Sequence, residues 1–317
     1  MNKQVDLSIV VPLYNEEGNV QELYRELRSV LDNHAYSYEI LFINDGSTDR
    51  TAELIRAISS SDPHVVVVNF RRNFGQTAAM SAGFDYSRGE VIVTLDGDLQ
   101  NDPADIPKLM EKINEGNDVV AGWRRKRQDP FLNRRLPSMI ANKVISWITG
   151  VKLHDYGCTL KAFKKDVVDN IRLYGEMHRF IPAVASAMGI SIAEVPVNHR
   201  PRQHGSSKYG ISRTFRVILD LITVKFMLSF ANRPIHIFGF IGMISFSLGS
   251  VISLVLIVQR LYGKGLSDRP LFLLSIMMVL IGIQFITFGL ISELQIRTYH
   301  ESQKKPIYYV KEVIGRD

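Results

Sequence analysis

Two aspartates one residue apart, Asp96 and Asp98, stand where an apolar run, Val91-Ile92-Val93-Thr94-Leu95, stops. Such a run, bounded by turn residues, reads as a strand buried on both faces. In open α/β sheets, ligands bind outside the carboxyl ends of the strands. Two carboxylates placed there can share a hard divalent cation, which takes oxygen ligands. A cation so held neutralises a diphosphate leaving group. Asp-Gly-Asp is also ordinary turn chemistry, so the triplet needs company before it means a metal site.

That company comes from the elements that must position it. A strand predicted over Leu7 to Pro12 leads into Val11-Pro12-Leu13-Tyr14-Asn15-Glu16, and one over Tyr38 to Ile43 leads into Asn44-Asp45-Gly46-Ser47-Thr48-Asp49. Further strands are predicted over Val65 to Phe70, Asp118 to Ala121 and Ser191 to Val197. Helices are predicted over Val20 to Asp32, Asp49 to Ser59 and Thr77 to Ser87, with another opening near Pro103, where proline suits a first turn. The alternation predicts an α/β domain with a mostly parallel sheet and helices on both faces. Three acid-bearing loops then fall at one sheet edge, as a nucleotide-diphosphate site requires. Glu16 and Asp49 also sit near helix starts, and for Asp49 capping is the preferred reading. The first strand lacks Gly-x-Gly-x-x-Gly, which disfavours a dinucleotide-binding Rossmann site. A helical segment over Pro137 to Thr149 and a less regular region to Ala187 complete the domain.

The 317-residue chain is 46% hydrophobic, with a mean hydropathy of +0.02. The apolar excess is local. Ile235 to Val258 has no formal charge apart from His236, and Leu271 to Ser292 has none. Each matches the roughly 20 residues needed to cross a bilayer. The expected organisation is a catalytic domain over 1–210, an amphipathic interfacial helix over 211–232, a transmembrane hairpin over 233–293 with spans of about 235–258 and 271–292, and a tail over 294–317. The 211–232 segment reads equally as an ordinary amphipathic helix packed on the domain. The first apolar run is short and contains Pro12, unlike a secretory leader, so the first ~230 residues are expected to stay cytoplasmic. The outer loop Gln259 to Pro270 carries Arg260, Lys264 and Arg269. Arg213, Arg216, Lys225 and Arg233 precede the hairpin, however, and Arg297, Lys304, Lys305 and Lys311 follow it. This larger load puts both ends on the cytoplasmic side. A net charge of +6 and a pI near 9.3 suit anionic lipid headgroups. No nucleic-acid motif accompanies the charge. The lone Cys158 excludes an internal disulfide and a cysteine-rich metal site. Apolar membrane surfaces often pair, so the partners expected include a second copy, as a homo-oligomer.

The motifs Val-Pro-Leu-Tyr-Asn-Glu, Asn-Asp-Gly-Ser-Thr-Asp and Asp-Gly-Asp-Leu-Gln resemble those of family 2 glycosyltransferases with the GT-A fold. Arg71-Arg72-Asn73-Phe74-Gly75-Gln76, Asp155-Tyr156-Gly157-Cys158-Thr159-Leu160-Lys161 and Gly205-Ser206-Ser207-Lys208-Tyr209 narrow the resemblance to the polyprenyl-phosphate glycosyltransferases. It extends through the hairpin to Pro306-Ile307-Tyr308-Tyr309-Val310. The resemblance implies that Pro12, Tyr14 and Glu16 line a nucleotide pocket and that Asp45 reads the base. It also implies that Asp96 and Asp98 hold Mg²⁺ or Mn²⁺, with Gln100 facing the sugar or diphosphate. A nucleotide-sugar donor, a uridine nucleotide by preference, and a polyprenyl phosphate acceptor follow from it.

The residues agree on the acceptor. A phosphate is already an anionic nucleophile and needs cations to position it more than it needs a base. Glu-Asp, a dipeptide that often supplies the base in sugar-hydroxyl transferases, occurs nowhere in the chain. Arg124, Arg127, Arg134, Arg200, Arg202 and Lys208 are abundant instead, and the arginine fork suits phosphate. Two or three of these are expected to touch phosphate. Asp155 either orients acceptor or sugar, or forms a turn before Gly157. The predicted reaction is an inverting, single-displacement transfer, and the loop from His199 to Gly210 is read as a cover for the donor. A processive polysaccharide synthase is the nearest rival, but neither Trp123 nor Trp147 lies in Gln-x-x-Arg-Trp. A non-catalytic membrane scaffold or flippase partner predicts degraded acid loops, and all three here are complete.

Overall fold

Apolar runs become strands because the sheet covers them on both faces. In the computed structural model, β1 (Leu7–Leu13), β2 (Tyr38–Asn44), β3 (Val65–Phe70) and β4 (Val91–Thr94) are buried along almost their whole length. The structure describes residues 5–125, 142, 145–146, 150–171, 181–186, 189–201, 235–262, 270–302 and 307–316. The amphipathic segment 211–232, most of the 199–210 loop, and Arg127, Arg134, Arg202 and Lys208 lie outside the described residues, as does most of the segment predicted helical over Pro137 to Thr149.

The helices between the strands are α1 (Val20–Asp32), α2 (Thr51–Ser61), α3 (Gln76–Tyr86) and α4 (Ile106–Asn114), the last entered through a 3₁₀ turn at Pro103–Asp105. Helical spacing puts Val20, Leu23, Leu27 and Leu31 on the buried face of α1, and Ile106, Leu109, Met110 and Ile113 on that of α4. Each large aliphatic side chain so buried contributes about 1.5–3 kcal/mol. Three strands follow: β5 (Val119–Trp123), β6 (Lys161–Lys164) and β7 (Ile192–Pro196). Among the described residues, two short helices, α5 (Lys165–Asp169) and α6 (Ile181–Ser186), lie between the last two. The described part of the region to Ala187, expected to be less regular, thus carries a strand and two short helices.

The sheet has eight strands in the order β7-β5-β6-β4-β1-β2-β3-β8, where β8 is Val310–Ile314. The pairs β1–β2, β1–β4, β2–β3 and β5–β7 are parallel. β6 runs antiparallel between β4 and β5, setting Lys161 opposite both Thr94 and Ala121. β8 is also antiparallel, on the outer edge of β3. The C-terminal segment is thus a strand of the sheet, held by Arg56 to Glu312 (2.5 Å), Asn69 to Glu312 (3.1 Å) and Tyr308 to Asp85 (2.7 Å).

The chain divides into two compact units, one comprising Met1–Val224 with Pro306–Asp317, the other Lys225–Lys305. The second holds α7 (Ile235–Leu261) and α8 (Pro270–Ser302). Phe238–Leu261 and Pro270–Ser292 are long and apolar enough to cross a bilayer. Phe240, Leu254 and Leu273 are each more than 60% exposed, an arrangement suited to lipid rather than water. Where the helices touch each other, small residues let the backbones approach. A Cβ on Gly282 would stand 2.6 Å from the Phe246 nitrogen, and Ser253 donates to Ser275 across the pair at 2.9 Å.

Candidate active site

The carboxyl ends of β1, β2, β3 and β4 share an edge, and side chains stitch their loops together. After β1, Asn15 takes a left-handed conformation (φ 56°). Its amide accepts from the Thr48 N–H at 2.8 Å, and its own N–H donates to the Ser47 hydroxyl at 3.0 Å. The Glu16 N–H donates to Thr51 at 2.8 Å, while its carboxylate accepts from Asn19 at 2.6 Å, just before α1. Asp49 accepts from the Thr51 N–H at 3.0 Å and the Glu17 N–H at 3.2 Å; it stands one residue before Arg50, the N-cap of α2, so it ties the two loops together rather than occupying the cap expected for it. Pro12 and Tyr14 are half-buried beside this network.

Asp45 is only 3% exposed. Its two oxygens accept the N–H groups of Phe74 (2.6 Å) and Gly75 (2.9 Å). Burial raises its pKa, against those two bonds. The residue expected to read a base therefore also anchors the loop after β3. That loop fits because Gly46 (φ 67°) has no side chain; a Cβ there would lie 2.3 Å from the Arg72 carbonyl carbon.

The Asp96 to Asp98 turn follows β4. Gly97 lets it close on the first loop, since a Cβ would meet Leu13 at 2.5 Å and the Pro12 carbonyl at 3.4 Å. Asp98 accepts from the Gln100 N–H at 3.2 Å, and Leu99 is left-handed (φ 59°) yet buried. Strain of this kind costs about 1–3 kcal/mol and gathers at functional sites. Burial, and then the Asp98 charge, push the Asp96 carboxyl up to about 6, against a Thr159 hydrogen bond and the charges of Arg124 and Lys161. A cation between the two acids would relieve that repulsion, and both donors are hard oxygens, so the pair fits a divalent ion. Among the described residues, no group of three or more His, Cys, Asp or Glu side chains forms a metal cage. The remaining coordination would fall to diphosphate and water.

Arg124 and Asp155 form a two-pronged pair, Nε to Oδ2 at 2.7 Å and Nη2 to Oδ1 at 3.0 Å. Their side chains are 16% and 3% exposed. Burial works against the arginine charge, but Asp155 outweighs it and the Arg124 pKa rises. Asp155 also accepts from the Gly157 N–H at 3.1 Å, so it is a turn-forming acid and an ion-pair partner together. Arg200 pairs with Glu26 (2.7 Å) and Asp102 (2.7 Å), and its N–H donates to the Gln100 carbonyl at 2.9 Å. Gln100 is thereby tied to the 198–200 segment. Both described arginines of the predicted set are held by carboxylates.

Sequence reading assigned no role to Gln76, whose amide donates to Asp96 at 2.8 Å, nor to Lys161. Lys161 is 2% exposed, and its ammonium donates to the carbonyls of Cys158 and Tyr156. Burial lowers the Lys161 pKa and raises that of Cys158 to about 11. Both lay inside quoted motifs, but neither shows in sequence that it faces Asp96 or its surroundings.

A mostly parallel α/β sheet whose acid-bearing loops meet an Asp-x-Asp turn is the architecture of GT-A glycosyltransferases. Glucosyl-3-phosphoglycerate synthase from Mycobacterium tuberculosis, solved with Mn²⁺, UDP and glucosyl-3-phosphoglycerate, superposes with a TM-score of 0.54 at 18% identity, over 71% of this chain and 80% of that one. At that identity the likeness establishes the fold. The model of glycosyl transferase family 2 matches residues 8–172, and the chain belongs to that family. Among its relatives, the dodecaprenyl-phosphate galacturonate synthase of Rhizobium johnstonii is 42% identical over 98% of this chain and 94% of its own length. The undecaprenyl-phosphate 4-deoxy-4-formamido-L-arabinose transferase of Shewanella sediminis is 39% identical over 99% and 94%.

Proposed function

We propose that the protein transfers a monosaccharide from a nucleotide-diphosphate sugar, a UDP-sugar by preference, to polyprenyl phosphate at the cytoplasmic face of a membrane. The observation that carries this reading is the convergence of the Pro12–Glu16, Asp45 and Asp96–Gln100 loops on one sheet edge. Two relatives spanning nearly the whole chain are named for polyprenyl phosphate acceptors and for different sugars. Their names support the acceptor and leave the sugar open.

In the proposed chemistry a lipid phosphate oxygen attacks the anomeric carbon. The bond from that carbon to the diphosphate oxygen breaks, its electron pair leaves with the nucleoside diphosphate, and configuration inverts. The nucleophile is anionic, so no proton need be removed. Pro12, Tyr14, Glu16 and Asp45 hold the nucleotide. Asp96 and Asp98 would hold Mg²⁺ or Mn²⁺, which supplies positive charge for the diphosphate. Gln100 and Asp155 orient sugar and acceptor, with Arg124 fixed by Asp155 close enough to lower the Asp96 pKa through its charge. Arg127, Arg134, Arg200, Arg202 and Lys208 complete the proposed cationic mouth. The 211–232 segment and the hairpin would keep the headgroup within reach. β8 follows the hairpin yet pairs with β3, which supports the reading that both ends of the hairpin face the same side of the membrane.

The test uses full-length protein in detergent, a panel of nucleotide-sugars, Mn²⁺ or Mg²⁺, and undecaprenyl phosphate, read by the mass of the lipid product. A lipid-linked sugar that disappears in Asp98→Ala is expected. No product with any common donor, together with residual turnover untouched by Asp98→Ala, would sink the proposal.

A further inference from the structure

Residues 74 to 76 touch two functional groups at once. Asp45 grips the N–H groups of Phe74 and Gly75 at 2.6 and 2.9 Å. Gly75 has φ 95°, a conformation that side-chain-bearing residues rarely adopt, and it turns the chain into α3. The first residue of that helix, Gln76, donates its amide to Asp96 Oδ1 at 2.8 Å. A carboxylate only accepts hydrogen bonds, so the amide presents its nitrogen.

We infer that Gln76 is a positioning residue for the metal carboxylate Asp96, and that the Phe74 to Gln76 turn ties it to the nucleotide-side carboxylate Asp45. The inference rests on the reading of Asp96 and Asp98 as metal ligands. An ionised carboxylate offers about four lone-pair sites. Gln76 takes one, which leaves lone pairs for a cation. Because the amide is neutral, it fixes the direction of the acid without cancelling its charge. A lysine in the same place would compete with the metal. The Asp45 grip stops the turn from drifting, so the aim of Asp96 is set by the loop that the nucleotide-side carboxylate holds.

The experiment titrates Mn²⁺ into the full-length protein saturated with UDP, reading free Mn²⁺ by electron paramagnetic resonance, and separately titrates UDP without metal. Gln76→Ala should weaken Mn²⁺ about tenfold or more, the usual scale for a hydrogen bond to a metal ligand. Gln76→Lys should weaken it further, and metal-free UDP binding should stay within about twofold of the parent. Asp98→Ala serves as the control. If Gln76→Ala binds Mn²⁺ like the parent while Asp98→Ala does not, the positioning role is wrong and the metal reading stands. If Gln76→Ala loses metal-free UDP binding to the same extent as Mn²⁺, the residue merely supports the loop, which also overturns the inference. If parent and Asp98→Ala bind Mn²⁺ equally poorly, the metal reading itself falls.

Discussion

Replacing Asp155 with Asn keeps the shape of the side chain and removes its charge, leaving the Arg124 guanidinium buried without its carboxylate. Both bonds of the pair are short, 2.7 and 3.0 Å, and only 16% of the arginine side chain reaches solvent. Removing one partner of a fully buried pair costs about 3–5 kcal/mol. The residual exposure of Arg124 and the amide oxygen that Asn retains put the expected cost near the lower bound, about 3 kcal/mol. For a folded unit of this size, that is a fall of about 6–12 °C in melting temperature. Arg124→Met should cost a similar amount, since it strands Asp155. The double variant removes both charges, so it should melt within about 4 °C of the milder single variant, a coupling of about 2 kcal/mol. The assay is thermal unfolding of full-length protein in one detergent, followed by tryptophan fluorescence. Turnover, measured well below every melting point, then separates roles: if Asp155 also orients the acceptor, Asp155→Asn loses activity that its remaining stability does not explain. Additive melting shifts, or a drop under about 2 °C for Asp155→Asn, would refute the claim that this pair holds the 155–161 segment to the end of β5.

The Asp96 pKa of about 6 sets a pH window. Metal needs the ionised acid, so Mn²⁺ affinity should fall about tenfold per pH unit below 6 and level off above it, and Asp96→Asn should abolish the slope. The folded pKa lies above the ordinary ~3.9, so the metal-free fold loses stability from this group as pH rises from about 4 through 6. Added Mn²⁺ should then raise the melting temperature more at pH 7.5 than at pH 5. Gly46→Ala forces a left-handed residue against the Arg72 backbone and should cost about 2–4 kcal/mol. UDP affinity, read by calorimetry, should fall with it as the loop leaves Asp45. Tyr308→Phe removes the 2.7 Å bond to Asp85 and should cost about 1.5 kcal/mol, seen as a small melting shift without loss of Mn²⁺ affinity.

The acid loops were legible because short connections follow long apolar runs, so burial of Val91 to Thr94 or Tyr38 to Asn44 leaves the next residues nowhere to go but the sheet edge. The two apolar helices were legible from length and lack of charge. β6 was not. It has four residues, lysine at both ends, and an antiparallel direction that breaks the β-α alternation. Its place comes from tertiary pairing with β4 and β5, which no local pattern encodes. β8 was read as plain tail, since Val310–Ile314 alternates like many exposed segments and becomes a strand only on β3. Asp45 and Gln76 show the limit at the site. Residue type flagged the first as a ligand reader, but its hold on Phe74 and Gly75 crosses about 30 positions, and the Gln76 bond to Asp96 crosses 20.

The outermost strand also sets an order of events during synthesis. Asn69 and Glu312 bond across 243 positions, so β3 leaves the ribosome long before its edge partner exists. At roughly 5–20 residues per second the wait is about 12–50 seconds. Through that interval β3 presents an open edge, the kind that recruits other chains. Only when both apolar helices and the segment after them have been made can β8 cover it. The open edge of β3 is thus a liability that the chain carries through most of its own synthesis.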